Sequence, residues 1–379
     1  MTKRERLMAT LNGQPVDRPA VCFYELNGID QNPHDTDEFN VYSHPSWKPL
    51  LDMTLDRTDR IVLRSMNFKN PHPNIKDLSE CKKTRLPNSS LQMDYTYTLG
   101  DRTFTYRDLR EVDVDTIWNI SCVFKDAEDL EYYLSFPDKQ QDPVADTEHI
   151  LETEQQLGED GIVCIDIPSP LCIVAQYFDM ADYMVIAMTE RELFHRALAQ
   201  VAERLLREVE VFSAAAPGRL WRIYGPEYAA APFLPPALFY EYAIRYDKPL
   251  VDAINKHGGF PRIHCHGNLR GIIDHIAGAG YAGIDPIEPP PQGDMALSEV
   301  RAKLGKDMVL FGNIEISEIE TLDEAAFTTR VKAALNAGCS KESRGFVLMP
   351  TACPIGRILN PRTVRNYEIM IQLAEEFKI

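Results

Sequence analysis

The sequence predicts an α/β fold, a TIM (β/α)8 barrel with a β-hairpin inserted in its N-terminal half. Three observations predict it. Eight short apolar segments read as strands, near residues 22, 62, 164, 222, 264, 284, 310 and 348. From the third onward they alternate with helical patterns, the mark of βα units and parallel pairing. The length, 379 residues, accommodates eight units with insertions. A doubly wound open sheet is the runner-up. The whole of 1–379 reads as one barrel domain, with 91–122 inserted in it.

The elements follow in order. Residues 2–11 read as a helix, because Thr2 and Glu5 make a capping box before the Leu7, Met8, Leu11 stripe. Ala20–Tyr24 is the first strand. Residues 27–58, rich in Asn, Asp, His and Pro, read as a long ordered loop with at most a helical turn. Arg60–Ser65 is the second strand. Period-2 alternation on both sides of Gly100-Asp101 predicts the hairpin. A helix over 147–158 precedes strand Ile162–Asp166. A helix over 189–211, opened by a Thr189–Glu192 capping box, precedes strand Leu220–Tyr224. A helix over 236–257 precedes strand Arg262–His266, and one over 268–279 precedes Ala282–Asp285. After the proline-rich Pro286–Pro291 come a helix over 297–304 and strand Met308–Phe311. A helix over 322–337, opened by Thr321–Glu324, precedes strand Phe346–Met349. The last helix starts at Asn360-Pro361, an N-cap with proline at the first helical position, and runs to about 377.

Composition excludes several function classes. Lys plus Arg number 40 and Asp plus Glu 57, a net charge of −17. A nucleic-acid binder needs a basic surface to neutralise phosphates, and the longest basic cluster is Lys82–Arg85. No stretch is long and apolar enough to span a membrane. The N-terminus has no apolar signal core, so a cytoplasmic protein is expected. Eight scattered Cys without a CxxC pair argue for free thiols. GxGxxG, GxxxxGK[ST] and GxSxG are missing, which removes nucleotide-dependent and serine-hydrolase readings.

In a barrel of this kind chemistry lies at the C-terminal strand ends. Those ends carry Tyr24 with Glu25, Ser65–Asn67, Asp166, Glu227 with Tyr228, His264 with His266, Asp285 with Glu288, Asn313, and Thr351–Cys353. Along a strand, i and i+2 share a face, so His264 and His266 point to one centre while Cys265 points away. Such a pair suits zinc, and Cys353 from the last strand is a candidate third ligand. The alternative is a core histidine beside one that binds an organic substrate. Three consecutive prolines, 289–291, hold the loop carrying Glu288 extended over the mouth. Glu227, between Pro226 and Tyr228, is placed to ligate a metal or hold a substrate. Glu227 and Glu288 are the candidate catalytic carboxylates. Glu25, Asp166, Tyr228 and Asn313 are candidate substrate contacts, although Asp166 better suits a structural cap and Asn313 equally suits a solvated loop.

The opening Arg4–Pro19, the run His264–Asn268, Asp285-Pro286, Gly293-Asp294 and Gly312-Asn313 together resemble the uroporphyrinogen decarboxylase superfamily. The resemblance spans nearly the whole chain and is weakest over 27–145. It implies a (β/α)8 barrel. True uroporphyrinogen decarboxylases carry arginines after the first strand to pair substrate carboxylates. Here Phe23–Asp30 has no arginine and two acids. The chain is more similar to the corrinoid-linked methyltransferases of the superfamily, which hold zinc with a His-x-Cys pair and a later Cys. His264 and Cys353 match that pattern, and His266 stands where the family has its first Cys. The resemblance implies zinc on His264, His266 and Cys353. The metal would activate a small substrate, often a thiol, for methyl exchange with cobalt on a separate corrinoid protein. The direction of transfer and the oligomeric state stay open. Two other classes remain. One is a metal-free decarboxylase or lyase using Glu227 and the histidines for proton transfer. The other is a binding protein that has kept only the barrel.

Overall fold

Eight parallel strands follow one another around the barrel, each hydrogen-bonded to the next in the chain. The structure, a computed structural model, describes residues 1–138, 141–305, 307–340 and 343–378. The first two barrel strands are β1 (Ala20–Val21) and β2 (Arg60–Ser65). Between β2 and the third barrel strand come β3 (Asn67–Phe68), β4 (Glu80–Arg85), β5 (Leu91–Leu99), β6 (Arg102–Arg110), β7 (Ile117–Ser121) and β8 (Ala145–Asp146). The barrel resumes with β9 (Gly161–Pro168), β10 (Leu220–Tyr224), β11 (Phe260–Cys265), β12 (Gly283–Pro286), β13 (Val309–Ile314) and β14 (Gly345–Pro350). β1 pairs with β14. On its other side it meets the start of β2, where the Asp59 amide donates to the Val21 carbonyl at 2.7 Å. The barrel predicted from the alternation is therefore the observed architecture.

All eight predicted barrel strands form. They are apolar and buried almost end to end, as strands covered on both faces must be. Leu220–Tyr224 matches its predicted bounds, and the helix Leu297–Leu304 does too. The Thr2–Glu5 capping box and the Asn360 cap form as expected.

The insertion is larger than a hairpin. Its turn at Gly100-Asp101 joins the two central strands of a four-stranded antiparallel sheet ordered β4-β5-β6-β7. The outer strands lack a clean apolar alternation, since β4 (ECKKTR) is almost wholly exposed. The short antiparallel pair β3–β8 joins the base of this excursion to the barrel.

Several helix predictions need correction. The loop region 27–58 holds a helix, Lys48–Arg57, with Pro49 in its first turn, where the missing N–H costs nothing. Thr189 and Thr321 are not caps. Each ends a preceding helix, Met180–Thr189 and Ile316–Thr321, and bonds its hydroxyl back to the carbonyl four residues earlier. The next helices begin at Arg191 and Glu324, the latter capped by Asp323. The 236–257 helix is irregular until Arg245, passing through a wide π turn over Tyr240–Ile244 before Pro249. Only Ile273–Ala277 of the predicted 268–279 helix is α-helical.

Candidate active site

The register of the parallel strands places the central groups. Arg222 on β10 lies beside Asp166 on β9, and His264 on β11 lies beside Asp285 on β12. Arg222 forks onto both Asp166 oxygens, Nε at 2.6 Å and Nη2 at 2.9 Å. Its Nη1 donates to the Tyr24 hydroxyl at 2.5 Å and to Glu25 Oε1 at 3.1 Å. The Tyr24 hydroxyl lies 3.3 Å from His264 Nε2, with the two rings stacked. His264 Nδ1 lies 2.8 Å from Asp285 Oδ2. The other Asp285 oxygen lies 2.9 Å from Arg262 Nε, an ion pair too bent to be a hydrogen bond. A run of alternating charge thus crosses the barrel interior. Burial pushes the Asp285 carboxyl up, but Arg262 and His264 outweigh it and hold the group down at about 2.

His266 sits beside His264, ring centroids 4.6 Å apart and nearly perpendicular. Its Nδ1 is held by Glu288 Oε1 at 2.8 Å, and Glu288 Oε2 accepts the Gly267 amide at 2.6 Å. Burial works to lower the His266 pKa, but Glu288, with Glu227 and Asp285 behind it, raises it. Gly293 lets the proline loop close on this carboxylate, since a Cβ there would lie 2.1 Å from the Glu288 carbonyl. Both histidines therefore have Nδ1 bound to a carboxylate, which fixes the ring and directs Nε2 elsewhere.

Glu227 follows Gly225, whose φ of +93° and whose Cβ position, 2.2 Å from Cys172 Cβ, exclude other residues. The tight turn seats Glu227 in the interior. Its Oε2 is buried without a hydrogen-bond partner. Burial raises its pKa, and the opposing charges that face it are His264 and His266.

Behind it Asp247 is buried with Ser169 and Tyr281 as its partners among the described residues, at 2.7 and 3.0 Å. Burial pushes this carboxyl up to about 7. The folded state thus holds a proton that the unfolded chain releases near pH 4, so stability falls as pH rises from about 4 to 7, by up to ~1.4 kcal/mol per unit. Asp247→Asn, uncharged throughout, is expected to gain in melting temperature relative to wild type as pH rises from about 4 to about 8. A melting difference that does not change with pH would contradict this.

The structure brings together His264, His266, Glu227 and Glu288. No hydrogen bond or ion pair joins Cys353 to them among the described residues, and its charged neighbours are Glu25 and Asp115. That thiol is half-buried, and burial, with Glu25 and Asp115 adding to it, pushes it up to about 12. Glu288 is occupied in holding His266 and Gly267, which makes it a positioning residue. Both Asp166 oxygens are taken by Arg222. Asn313 is buried and accepts from Arg330. Glu25, at φ +55°, reaches Arg222 from the rim. The Tyr228 hydroxyl has the Gln176 amide as a polar neighbour. Sequence reasoning missed Arg222, Arg262 and the roles of Tyr24 and Asp285. An arginine in the middle of each of two apolar strands was the available signal, because a buried cation requires a carboxylate on a neighbouring strand.

Among the described residues, no three His, Cys, Asp or Glu side chains are gathered as a metal's ligands. The donor chemistry nevertheless fits zinc. Two imidazoles have carboxylate-held Nδ1 atoms, and Glu227 has a buried oxygen lacking a partner.

The sequence model of the uroporphyrinogen decarboxylase (URO-D) family matches residues 119–376. A methyltransferase from Methanosarcina mazei is structurally similar, with TM-score 0.59 and 16% identity, covering 98% of this chain and 98% of that one. A broad-specificity endoglucanase from Bacteroides salanitronis aligns at TM-score 0.32 and 12% identity, over 63% of this chain and 79% of its own. No curated protein sequence matches the chain. Among the described residues no helix is long and apolar enough to cross a membrane.

Proposed function

Because the chain belongs to the uroporphyrinogen decarboxylase family, we propose that it is a methyltransferase, moving a methyl group between a small substrate and cobalt on a separate corrinoid protein. The observation that carries this reading is the pair of the buried His264 and the half-exposed His266, each held by a carboxylate and both charge partners of the unpartnered Glu227. Such a group is built to hold an electrophilic centre or an activated nucleophile. The full-length structural likeness to a methyltransferase supports it.

Zinc is part of the proposal. His264, His266 and Glu227 would hold it, with Cys353 outside the set. Bound there, zinc would stabilise a deprotonated nucleophile at neutral pH. The chain's own groups do the rest. Asp285 and Glu288 keep protons on the Nδ1 atoms, so that both Nε2 lone pairs stay available. Arg222 donates to the Tyr24 hydroxyl, whose own hydrogen then points to His264 Nε2. That contact, at 3.3 Å, is long enough for a better partner to displace. The buried walls exclude water and strengthen each of these interactions.

The test combines elemental analysis with a rate. Free methylcobalamin serves as methyl donor and small thiols as acceptors, followed by visible absorption. We expect about one zinc per chain, lost in His264→Ala and His266→Ala, and a chelator-sensitive rate. A metal-free protein that refuses zinc and transfers no methyl group would sink the reading. Activity on a small carboxylic acid after chelation would point instead to the metal-free lyase.

A further inference from the structure

The Tyr24 hydroxyl is a donor held ready without a good acceptor. Arg222 Nη1 donates to it at 2.5 Å, and Arg222 is itself locked by both Asp166 oxygens. An arginine can donate but not accept, so the phenol oxygen is the acceptor and its own hydrogen must go elsewhere. Its partner among the described residues is His264 Nε2, at 3.3 Å. Good O–H hydrogen bonds span about 2.5–3.0 Å, so this contact is weak. The neighbouring donors are already engaged. Arg222 serves Asp166, Glu25 and Tyr24, and the two histidine Nδ1 atoms face Asp285 and Glu288. Tyr24 is 8% exposed, and a buried donor that lacks a good acceptor costs the fold free energy. It is kept beside His264 Nε2, the atom that zinc would take, so an occupant of the site meets this hydroxyl.

We propose that Tyr24 is a specificity-determining residue of the site. Its hydroxyl donates a hydrogen bond to the substrate atom that exchanges the methyl group, and it selects an atom with lone pairs to spare. The proposal rests on the methyltransferase reading and on zinc at His264. A thiolate sulfur can bind a metal, use a lone pair in attack and still accept a hydrogen bond. An amine nitrogen has a single lone pair and, once that is committed, accepts nothing. When sulfur takes the methyl group, a sulfur lone pair forms the S–C bond as the C–Co bond breaks, and the bonding pair stays on cobalt. Tyr24 keeps its proton throughout. Charge leaves the sulfur during attack, so the hydrogen bond is stronger in the bound thiolate than in the transition state. Tyr24 therefore serves binding and selection rather than speed.

Calorimetric titration of the zinc-loaded full chain with 2-mercaptoethanol and with imidazole tests it. Imidazole ligates zinc through its one available lone pair and has none left for Tyr24. Tyr24→Phe is expected to keep its zinc and to bind imidazole as wild type does. It should bind 2-mercaptoethanol about tenfold or more weakly, the loss of one hydrogen bond to a charged group. With methylcobalamin as donor, its KM for the thiol should rise by a similar factor, with kcat at or above wild type. Equal weakening of both ligands, or loss of zinc, would make Tyr24 a structural residue and overturn the proposal. Unchanged 2-mercaptoethanol binding would overturn it too, while methyl transfer by wild type would still uphold the enzyme reading. Conversely, a wild type that binds both ligands and transfers no methyl group sinks the enzyme reading, and the titration still decides whether Tyr24 donates. A wild type that takes no zinc overturns both.

Discussion

Asp285→Ala is expected to destabilise the protein by about 3–5 kcal/mol, the cost of breaking a buried ion pair from one side. Asp285 is fully buried between Arg262 and His264. Arg262 is 2% exposed, and its remaining support is the Phe311 ring, 4.7 Å from the guanidinium carbon. Removing the carboxylate strands that cation in the barrel and releases the His264 ring. Denaturant titration of the single variant and of the Arg262→Met, Asp285→Ala double variant checks the reasoning. The double variant should recover part of the loss, because the stranded charge is gone. A loss below about 1 kcal/mol in the single variant would mean that water reaches Arg262.

Glu227→Gln should lower the methyl-transfer rate by at least ~10-fold, because a neutral amide holds zinc less well than a carboxylate does. Its melting temperature in metal-free buffer should stay at or above wild type. The two outcomes belong together. Glu227 Oε2 is buried and bonds nothing, so it costs the fold desolvation without a compensating contact. A residue that only stabilised the barrel would show the opposite pattern, lower stability with the rate retained. An unchanged rate in a folded Glu227→Gln protein removes this residue from the site.

The barrel was legible because buried parallel strands are written as short apolar runs between helical patterns. Arg60–Ser65 and Leu220–Tyr224 needed no tertiary information. The end of Met180–Thr189 did. A Thr-x-x-Glu pattern has the chemistry of a cap, but whether the preceding turn is already helical is decided by packing, and Tyr183, Ile186 and Ala187 are buried there. The helix Lys48–Arg57 was hidden by its polar surroundings. At the site, the i, i+2 spacing alone put His264 and His266 on one face. The carboxylates that hold them, Asp285 and Glu288, come from the next strand and its loop, and only strand register determines which oxygen meets which nitrogen. Cys353 shows the converse. Standing at a strand end places a residue on the right rim of the barrel without naming its neighbours, which here are Glu25 and Asp115. Arg222 and Arg262 could have been read as demands for buried acids, and strand order then names Asp166 and Asp285.

The β3–β8 pair has a consequence for how such a protein can be altered. Phe68 and Ala145 are ladder partners, as are Asn67 and Asp146, so the chain leaves the barrel and returns to it at almost the same point. The β2–β9 ladder, Arg60–Ser65 against Gly161–Asp166, lies wholly outside that loop. The excursion is therefore a cartridge seated in a two-pronged socket. It cannot be cut out without replacement, since Tyr97, Phe104 and Phe124 are buried in the shared core. Another excursion of similar apolar footprint could be seated there by exchange of a whole piece, while the histidines and their carboxylates stay as they are.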